Sequence, residues 1–490
     1  MGGRKIFAAE PLSSPFVHAP YLQNVQGGRA TIMWSTPGLT KAALEYSPDG
    51  IYFQRILAES RGFGVDESRG DAFVQYRARI EGLLPNTRYV YRIVLGDGTV
   101  LTQDGMDFLS HGRGPFNFLV LGDSGEPSTE QYLLAQQLSQ ERPSMVVHTG
   151  DIAYYAGSFQ EFRTNYFERY PLMHGVPFFP TPGNHEYLTP EAIPYRALHS
   201  VPSGTVPEAD RGKYYSFDWS NVHFVSLDSN VSLDRASTGE GGMLQWLDDD
   251  LRSTTKFWKI VFFHHPPYGT GPTQTNLQSA LARDLIVPIL ERHGVQAVFS
   301  GHEHSYQRTV PVRNGVASAD GQGITYFTSG GGGAGLYPVY PSPLIAAGAS
   351  EYHYLRVHVG GGRLKVNTVG LNGMELDSHL IQPKPAFLLD SYGAVIALKP
   401  SGFGSDISIY GNSLAMDEVS VPQGGVALEN MTTNVFLNGT PLPLYFASPK
   451  LIRGYVPFPI DGSASVRVVT ANGSTEASIP PARLTNSYPV

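Results

Sequence analysis

The amino-acid sequence predicts a multidomain protein in which an α/β domain built from βαβ units lies between two all-β sandwich domains. Three observations support this fold class. A chain of 490 residues is longer than one hydrophobic core usually requires, so two to four domains are expected. Between residues 116 and 304, apolar runs alternate with polar turns. On both sides of this region, short β-like segments are separated by turn residues. We place the domains at residues 1–111, 112–384 and 385–490.

The first domain has the size and the strand pattern of a β-sandwich. The segment Ala30–Ser35 alternates between apolar and polar side chains, as a half-buried strand does. Residues 83–91 (LLPNTRYVY) resemble the fibronectin type III pattern L-x-P-x-T-x-Y. The tyrosine of that pattern, here Tyr89, would form a tyrosine corner. We therefore predict a fibronectin type III-like sandwich that ends near His111–Pro115.

Four apolar runs in the middle domain predict buried parallel strands, because strands covered on both faces are almost continuously apolar. The runs are FNFLVL (116–121), MVVH (145–148), WKIVFF (258–263) and VQAVF (295–299). Helices are predicted over Ser128–Arg142, with Leu133, Leu134 and Leu138 on one face, and around Leu281–His293. Ligand sites in such folds lie at the carboxyl ends of the strands, where this sequence has short polar blocks.

These polar blocks supply side chains that bind metal ions, because carboxylate oxygens and neutral imidazole nitrogens are ligands for divalent and trivalent cations. Any one block could be an ordinary turn, but together they form an ordered set. Two cations about 3.5–4 Å apart share a bridging ligand, and we assign this role to the carboxylate of Asp151. The candidate ligands are Asp123 (GDSG), Asp151 and Tyr154 (GDIAY), Asn184 (GNHE), His264 (VFFH), and His302 and His304 (GHEH).

The motifs resemble those of the purple acid phosphatases, a branch of the calcineurin-like metallophosphoesterases. The family pattern is GDxG, GDxxY, GNH(D/E), VxxH and GHxH, and its seven metal ligands all have a counterpart here. Tyr154 is the most discriminating residue, because most other metallophosphoesterases lack a tyrosine three positions after the bridging aspartate. The resemblance implies an α/β metallophosphoesterase sandwich with a dinuclear centre. Fe(III) would be held by Asp123, Tyr154 and His304, and a divalent ion (Zn, Mn or Fe) by Asn184, His264 and His302.

The chemistry of Tyr154 agrees with iron. A free tyrosine has a pKa of about 10, so it binds a metal only where a strong Lewis acid displaces its proton. Fe(III) does this and Zn(II) rarely does. Two aspartates, one phenolate and one bridging hydroxide would leave the metal pair with one positive charge, which would attract a phosphate group.

The activity implied by the resemblance is hydrolysis of phosphate monoesters by a metal-bound hydroxide. His185 would protonate the leaving group. His265 is either a second substrate-side histidine or a packed group behind the ligands. Glu186 and Glu303 would lie behind the ligands or face solvent.

Two other functions are compatible with the sequence. The first is a phosphodiesterase or nucleotide pyrophosphatase on the same dimetal core, with specificity set by loops such as Leu188–Asp210 and Ser229–Gly242. The second is a non-catalytic cell-surface binding protein with an inactive core. The complete ligand set argues against the second alternative.

The last domain contains no candidate ligand. Its segments IYGNSLA, VFLNGTPLPLYFASP and VPF resemble the immunoglobulin-like C-terminal modules of exported bacterial proteins, so we predict a structural or attachment role. Asn438–Gly439 predicts a hairpin turn between residues 434–437 and 442–444. Before this domain, Ser329–Gly335 (SGGGGAG) is too rich in glycine for a strand interior and lacks the Lys-Ser/Thr pair of a P-loop. We predict that it approaches the site closely from beneath.

Composition restricts partners and location. The net charge of −8 argues against a nucleic acid as a stable partner, and no run of about 20 apolar residues predicts a membrane span. The absence of cysteine excludes disulfides and thiolate metal sites, and favours a bacterial origin, since many eukaryotic purple acid phosphatases contain cysteine. Met1–Glu10 has no long apolar region. The resemblance nevertheless predicts an extracellular or periplasmic protein whose signal peptide is absent from this sequence, acting on small phosphate esters.

Overall fold

The structure is a computed structural model, and it describes most of the first two predicted domains and parts of the third. The predicted boundary residues Lys384–Pro385, the N-terminal segment Met1–Glu10 and residues 231–241 of the predicted specificity loop lie outside the described residues. The described residues are 15–68, 70–230, 242–318, 322–383, 386–387, 389–390, 393–394, 396–401, 404–420, 432–456 and 464–479.

Two mixed sheets pack face to face at the centre of the molecule. Their aromatic side chains interlock, with ring centroids 5.2 Å apart for Phe118 and Phe224 and 3.9 Å apart for Phe179 and Phe217. This arrangement confirms the predicted α/β sandwich. The six-stranded sheet consists, in spatial order, of Phe178–Pro180, Met145–His148, Phe116–Leu121, His353–Gly360, Arg363–Gly370 and Glu375–Ile381. The seven-stranded sheet consists of Tyr215–Trp219, Val222–Ser226, Trp258–Phe262, Ala297–Ser300, Thr325–Ser329, Tyr306–Thr309 and Ile345–Ala349.

The strands that precede the polar blocks run parallel within each sheet, as predicted. In the first sheet, Phe116–Leu121 pairs with Met145–His148, so that Leu121 lies opposite His148. In the second sheet, Trp258–Phe262 pairs with Ala297–Ser300, and these two strands are also parallel. Parallel strands end at the same edge of a sheet, and the polar blocks that follow them therefore meet there.

Helices cover the outer faces of the two sheets. The helix Thr129–Gln140 begins at Ser128, whose hydroxyl accepts the N–H of Gln131, and it buries Leu134 and Leu138. The prediction that Leu133 shares this face is wrong: it is 42% exposed, because successive helical residues are turned by about 100°.

The other helical segments are Val65–Ser68, Phe159–Phe162, Arg163–Phe167, Pro171–His174, Glu186–Leu188, Pro190–Ala192, Ile193–Leu198, Glu208–Asp210, Met243–Ser253, Leu277–Leu281, Ala282–Ile286 and Val287–Arg292. The last three are continuous, so the helix predicted around Leu281–His293 starts earlier, at Leu277.

Two antiparallel sheets precede the central domain. The Tyr89 hydroxyl accepts the N–H of Leu84 at 3.0 Å, which is the contact expected of a tyrosine corner. The first sheet contains His18–Gln26, Arg29–Thr36, Phe73–Ile80 and Glu59–Phe63; the second contains Gln54–Leu57, Ala42–Ser47, Arg88–Leu95, Val100–Leu101 and Asp107–Leu109.

The prediction of a half-buried strand at Ala30–Ser35 is wrong, because all six residues are buried. Trp34 lies in the core of the N-terminal sheets, whereas Met33, on the opposite face, packs in a cluster with Phe159 of the central domain. The hydroxyl of Tyr21 also donates to the carbonyl of Leu198 at 2.7 Å. The central domain therefore covers the face that was expected to meet solvent.

Further β-strands follow the central domain. The predicted hairpin turn is present: Asn438 and Gly439 have φ values of 49° and 81°, as a type I′ turn requires. Its second strand is Thr440–Pro441, earlier and shorter than expected. The strands beyond the central domain are Ala386–Phe387, Leu389–Asp390, Gly393–Ala394, Ile396–Ser401, Gly404–Asn412, Val419–Ser420, Asn434–Leu437, Thr440–Pro441, Leu444–Ala447, Leu451–Val456, Ala464–Thr470 and Gly473–Ile479.

The central domain also contains a small hairpin, Val312–Arg313 with Val316–Ala317.

The C-terminal strands contact the central domain at the amino ends of its parallel strands. The ammonium group of Lys450 donates to the carbonyls of Leu251 and Arg252, at 2.6 and 2.9 Å, near the end of the helix Met243–Ser253. Asn472 donates to the carbonyl of Gly362 at 2.9 Å. The polar blocks stand at the opposite edge of the sheets. Among the described helices, none combines the length and the apolar character needed to cross a membrane.

Candidate metal centre

The seven predicted metal ligands meet at the carboxyl edge of the two central sheets, in two groups. The first group surrounds the hydroxyl of Tyr154. This oxygen lies 3.0 Å from Oδ2 of Asp151, 3.4 Å from Oδ1 of Asp123 and 3.1 Å from Nε2 of His304. The backbone N–H of His302 donates to both carboxylate oxygens of Asp123, at 3.0 and 2.8 Å, which fixes that carboxylate.

The second group surrounds Nε2 of His264. This nitrogen lies 3.0 Å from Oδ1 of Asn184, 3.2 Å from Nδ1 of His302 and 3.3 Å from Oδ2 of Asp151. Oδ2 of Asp151 therefore contacts a member of each group, since it also lies 3.0 Å from the Tyr154 hydroxyl. This is the position expected of a bridging carboxylate.

Glycines in the motifs leave room for the carboxylates. A Cβ atom added at Gly183 would overlap Oδ1 of Asp151, and one added at Gly301 would overlap Oδ2 of Asp123. The glycines of GNHE and GHEH are thus needed for close approach of the backbone to the ligands. The loop Ser329–Gly335 also approaches closely, as predicted: the N–H of Ala334 donates to the carbonyl of Asp123 at 3.1 Å.

Hydrogen bonds outside the centre orient the three imidazoles. Nδ1 of His264 donates to the carbonyl of Thr149 at 2.9 Å, and Nδ1 of His304 donates to the carbonyl of Gly335 at 2.8 Å. In both rings Nε2 therefore faces the centre, which is the orientation of metal-binding histidines. His302 is reversed, with Nδ1 facing inward and Nε2 held 2.7 Å from Nδ2 of Asn276.

The carboxylate of Glu186 joins two ligand loops. It accepts the backbone N–H groups of Asp151, Ile152, Ala153 and Gly183, at 3.1, 2.8, 3.2 and 2.7 Å. Glu186 is fully buried, so of the two positions considered for it the one behind the ligands is correct. Burial and the nearby charge of Asp151 raise the pKa of Glu186 to about 7.

Burial and charge determine the protonation of the centre. Burial works to raise the pKa of Asp151, but the charge and hydrogen bond of His264 outweigh it and hold this pKa well below its usual range. Burial works to lower the pKa of His264, and Asp151 raises it to about 9. Burial, followed by Asp151 and Asp123, raises the pKa of Tyr154 well above its ordinary value. The phenol therefore ionises only beside a strong Lewis acid.

His185 lies beside the ligands at the mouth of the centre. Its side chain is 24% exposed, Nδ1 donates to the carbonyl of Tyr155 at 2.6 Å, and Nε2 lies 3.8 Å from Oδ2 of Asp151. One ring nitrogen thus faces the centre and the other is fixed on the backbone. This position is suitable for a proton donor to a bound substrate.

His265 is buried behind the second group. Its Nδ1 lies 2.8 Å from the hydroxyl of Ser229, and its ring centroid is 4.4 Å from that of His302. Burial lowers the pKa of His265 well below its usual value, so the ring is neutral. One of its nitrogens lies within 4.8 Å of ring nitrogens of His264 and His302. Of the two positions considered for His265, these contacts favour the packed one.

Three residues that support the site were not singled out from the sequence. Asn276 begins the helix at Leu277, where its Oδ1 accepts the N–H of Ser279 at 2.8 Å. This capping position is visible in the sequence, but its contact with His302 is not. Ser229 and Tyr337 are also outside the motifs. The ring of Tyr337 stacks on that of His304, with centroids 4.2 Å apart and planes inclined by 11°.

Residues 116–306 match the family model of the calcineurin-like phosphoesterases. Purple acid phosphatase 18 of Arabidopsis thaliana is 30% identical over 321 residues, which cover 61% of this chain and 68% of the relative. Acid phosphatase type 7 of Homo sapiens is 25% identical over 370 residues, covering 68% and 83% of the two chains. The solved structure of purple acid phosphatase PPD1 from yellow lupin (Lupinus luteus) seeds superimposes with a TM-score of 0.65 over 74% of each chain, at 18% identity, and shares the fold.

Proposed function

The chain belongs to the purple acid phosphatases, and from this premise we propose that it hydrolyses phosphate monoesters with the seven ligands described above holding two metal ions. It is a phosphatase of the metallophosphoesterase fold with a dinuclear metal centre. The observation that carries the proposal is the position of Asp151, whose Oδ2 lies 3.0 Å from the Tyr154 hydroxyl and 3.3 Å from Nε2 of His264. A carboxylate between two groups of ligands is what a pair of metals requires.

The donor atoms fit two different ions. Asp123, Tyr154 and His304 would hold Fe(III), because two oxygens of anionic character suit a hard trivalent ion. Asn184, His264 and His302 would hold the divalent ion, Zn, Mn or Fe, since amide oxygen and neutral imidazole suit it. When bound, such a centre supplies the positive charge that attracts a phosphate group and the Lewis acidity that activates water.

The remaining residues position these groups and move a proton. Nδ1–H of His185 is fixed on the Tyr155 carbonyl, so the charged imidazole would give the proton of Nε2 to the leaving oxygen. Glu186 keeps the loops of Asp151 and Asn184 together through four backbone N–H groups. The carbonyls of Thr149 and Gly335 keep the imidazoles of His264 and His304 in the orientation that metal binding needs.

Colour tests the assignment of iron to Tyr154. A phenolate bound to Fe(III) has a charge-transfer band in the visible, so the iron-loaded protein is expected to be pink to purple. Tyr154→Phe should abolish the band and keep most of the metal, because the other ligands remain. Absorption spectra normalised to iron content are the measurement. Tyr155→Phe is the matched control, since this neighbouring side chain is 63% exposed, and it should keep the band. An iron-loaded wild type without a visible band would show that Tyr154 is not a ligand and that the site is an ordinary dimetal centre.

Removal of residues 385–490 is expected to leave activity near that of the full chain, within about a factor of two or three. All candidate ligands precede this region, and its described contacts, such as Lys450 with Leu251, lie at the edge of the sheets opposite the centre. Activity per bound metal and thermal unfolding should be measured on both proteins. Stability should fall, because the helix Met243–Ser253 loses the lysine at its C-terminus. A folded, metal-loaded truncation without activity would contradict the prediction.

We extend the proposal to the setting of the enzyme. It would be an exported bacterial protein, with a fibronectin type III-like module before the catalytic domain and an immunoglobulin-like module after it. The Tyr89 contact and the strands after residue 385 support these modules, and the absence of cysteine supports the bacterial origin.

Comparison of aryl phosphate monoesters with diesters would separate a phosphatase from a phosphodiesterase on the same core.

A further inference from the structure

Exposed apolar side chains border the centre on the side of His185. Tyr155 is 63% exposed and Leu188 is 64% exposed. Tyr337, half-buried, stacks on the candidate ligand His304. We call these three residues the apolar rim. Because they stand at the mouth of the site, their exposed surface is available to a substrate.

Tyr155 and Leu188 are tied to the backbone of the residue that would donate the proton. The carbonyl of Tyr155 accepts Nδ1–H of His185 at 2.6 Å, and the N–H of Leu188 donates to the carbonyl of His185 at 3.2 Å. Both residues therefore lie next to His185. In a phosphate ester bound for transfer of a proton from His185, the leaving group lies next to them.

Tyr337 continues the rim on the other side. Its N–H donates to the carbonyl of His304 at 2.8 Å, and its ring stacks on the imidazole of His304. Glu126 connects the two sides, because its Oε1 lies 3.5 Å from the Tyr155 hydroxyl and its Oε2 accepts the N–H of Gly335 at 3.2 Å. Backbone contacts thus hold the three rim residues next to His185 and His304, and the side chain of Glu126 links the two sides of this arc.

The carboxylate of Glu126 lies within this arc, with its Oε1 3.5 Å from the Tyr155 hydroxyl. A leaving group that carried further phosphates would meet this carboxylate. A neutral aromatic ring would find tyrosine rings and an aliphatic side chain.

We infer that the apolar rim binds the leaving group, and that the substrates are phosphate monoesters of aromatic alcohols in preference to polyphosphates or sugar phosphates. This inference rests on the proposed phosphatase function and adds its substrate class. Tyr155 is the main specificity residue, because it is the most exposed ring of the arc and directly follows Tyr154.

Binding of two phosphonates to the metal-loaded full-length protein tests the inference. Benzylphosphonate and ethylphosphonate carry a carbon in place of the ester oxygen, so neither is cleaved and leaving-group acidity has no effect. Calorimetry should give benzylphosphonate about tenfold tighter binding, since aromatic contact and ring burial contribute about 1.4 kcal/mol. Tyr155→Ala should reduce the ratio of the two affinities to about threefold or less. Tyr155→Phe should keep the ratio, because the ring remains.

Tyr52→Ala is the matched control, because Tyr52 is 79% exposed in the N-terminal domain, and it should also keep the ratio. Equal affinities of the wild type for the two phosphonates would overturn the inference and leave the phosphatase proposal standing. An unchanged ratio in Tyr155→Ala would overturn the role of Tyr155. If inorganic phosphate and both phosphonates failed to bind the metal-loaded protein, the proposed function itself would fail.

Discussion

Asp151→Ala is expected to remove both metal ions and to lower phosphatase activity by a factor on the order of 10³ or more, because several kcal/mol of Lewis-acid stabilisation are lost. Oδ2 of Asp151 lies 3.0 Å from the Tyr154 hydroxyl and 3.3 Å from Nε2 of His264, so one substitution takes a ligand from each group. Elemental analysis of the purified variant is the direct measurement.

Asp123→Ala is the informative comparison for this experiment. Asp123 is also buried, but its contacts with ligand side chains are with Tyr154 and His304 of the first group, and its contact with His302 is to the backbone N–H. It should therefore lose mainly the iron and keep part of the divalent ion. Two metal ions retained in Asp151→Ala would exclude a bridging role for Asp151, and equal metal losses in the two variants would leave it without support.

His185→Ala is expected to slow the hydrolysis of alkyl phosphates by about 10²–10⁴-fold and that of aryl phosphates with acidic phenols far less. An alkoxide needs a proton as it leaves, whereas a nitrophenolate is already a stable anion. Metal content should be unchanged, because Nε2 of His185 lies 3.8 Å from Asp151 and the side chain is outside the ligand set. The measurement is kcat for a series of esters, plotted against the pKa of the leaving group.

His358→Ala provides the control for that series, because His358 is exposed and hydrogen-bonds Asn117 near the amino end of a central strand. It should leave all rates unchanged. For each ester, the rate of the variant is divided by the rate of the wild type. The contribution of the apolar rim to binding of the leaving group is the same in both proteins while the rim is intact, so it does not affect this ratio. An equal loss for alkyl and aryl esters at full metal occupancy would mean that His185 positions the phosphate, and His265 would become the next candidate for the acid.

The strands and the ligands could be predicted from the sequence because their signals are local. An apolar run followed by glycine and a polar residue, as at Leu121–Asp123, specifies a buried strand and the turn after it within a few residues. The same order of motifs predicted that the ligands would meet, since parallel strands end at one edge. The match to a known family then gave each ligand an expected metal.

Contacts between distant segments could not be predicted in this way. The error at Ala30–Ser35 has this cause. Alternation of apolar and polar side chains shows that a strand has two different faces, but it does not show what packs on the second face. Here that face is covered by a cluster that contains Phe159. The support of His302 by Asn276 crosses 26 positions of the chain, and the pairing of Glu186 with the N–H of Asp151 crosses 35. Neither depends on a periodicity that local sequence reveals.

The carboxylate of Glu186 also affects how the protein acquires its metals. It accepts the backbone N–H groups of residues 151–153 and of Gly183, and these four hydrogen bonds join protein groups only, so they need no metal ion to form. The conformational entropy of these loops is then lost during folding and not when an ion arrives. Metal-free protein should accordingly protect these four amides from deuterium exchange almost as well as loaded protein. Metal uptake would then be limited by dehydration of the ion, and a chelator would leave an empty but preorganised site that can be refilled with a different metal.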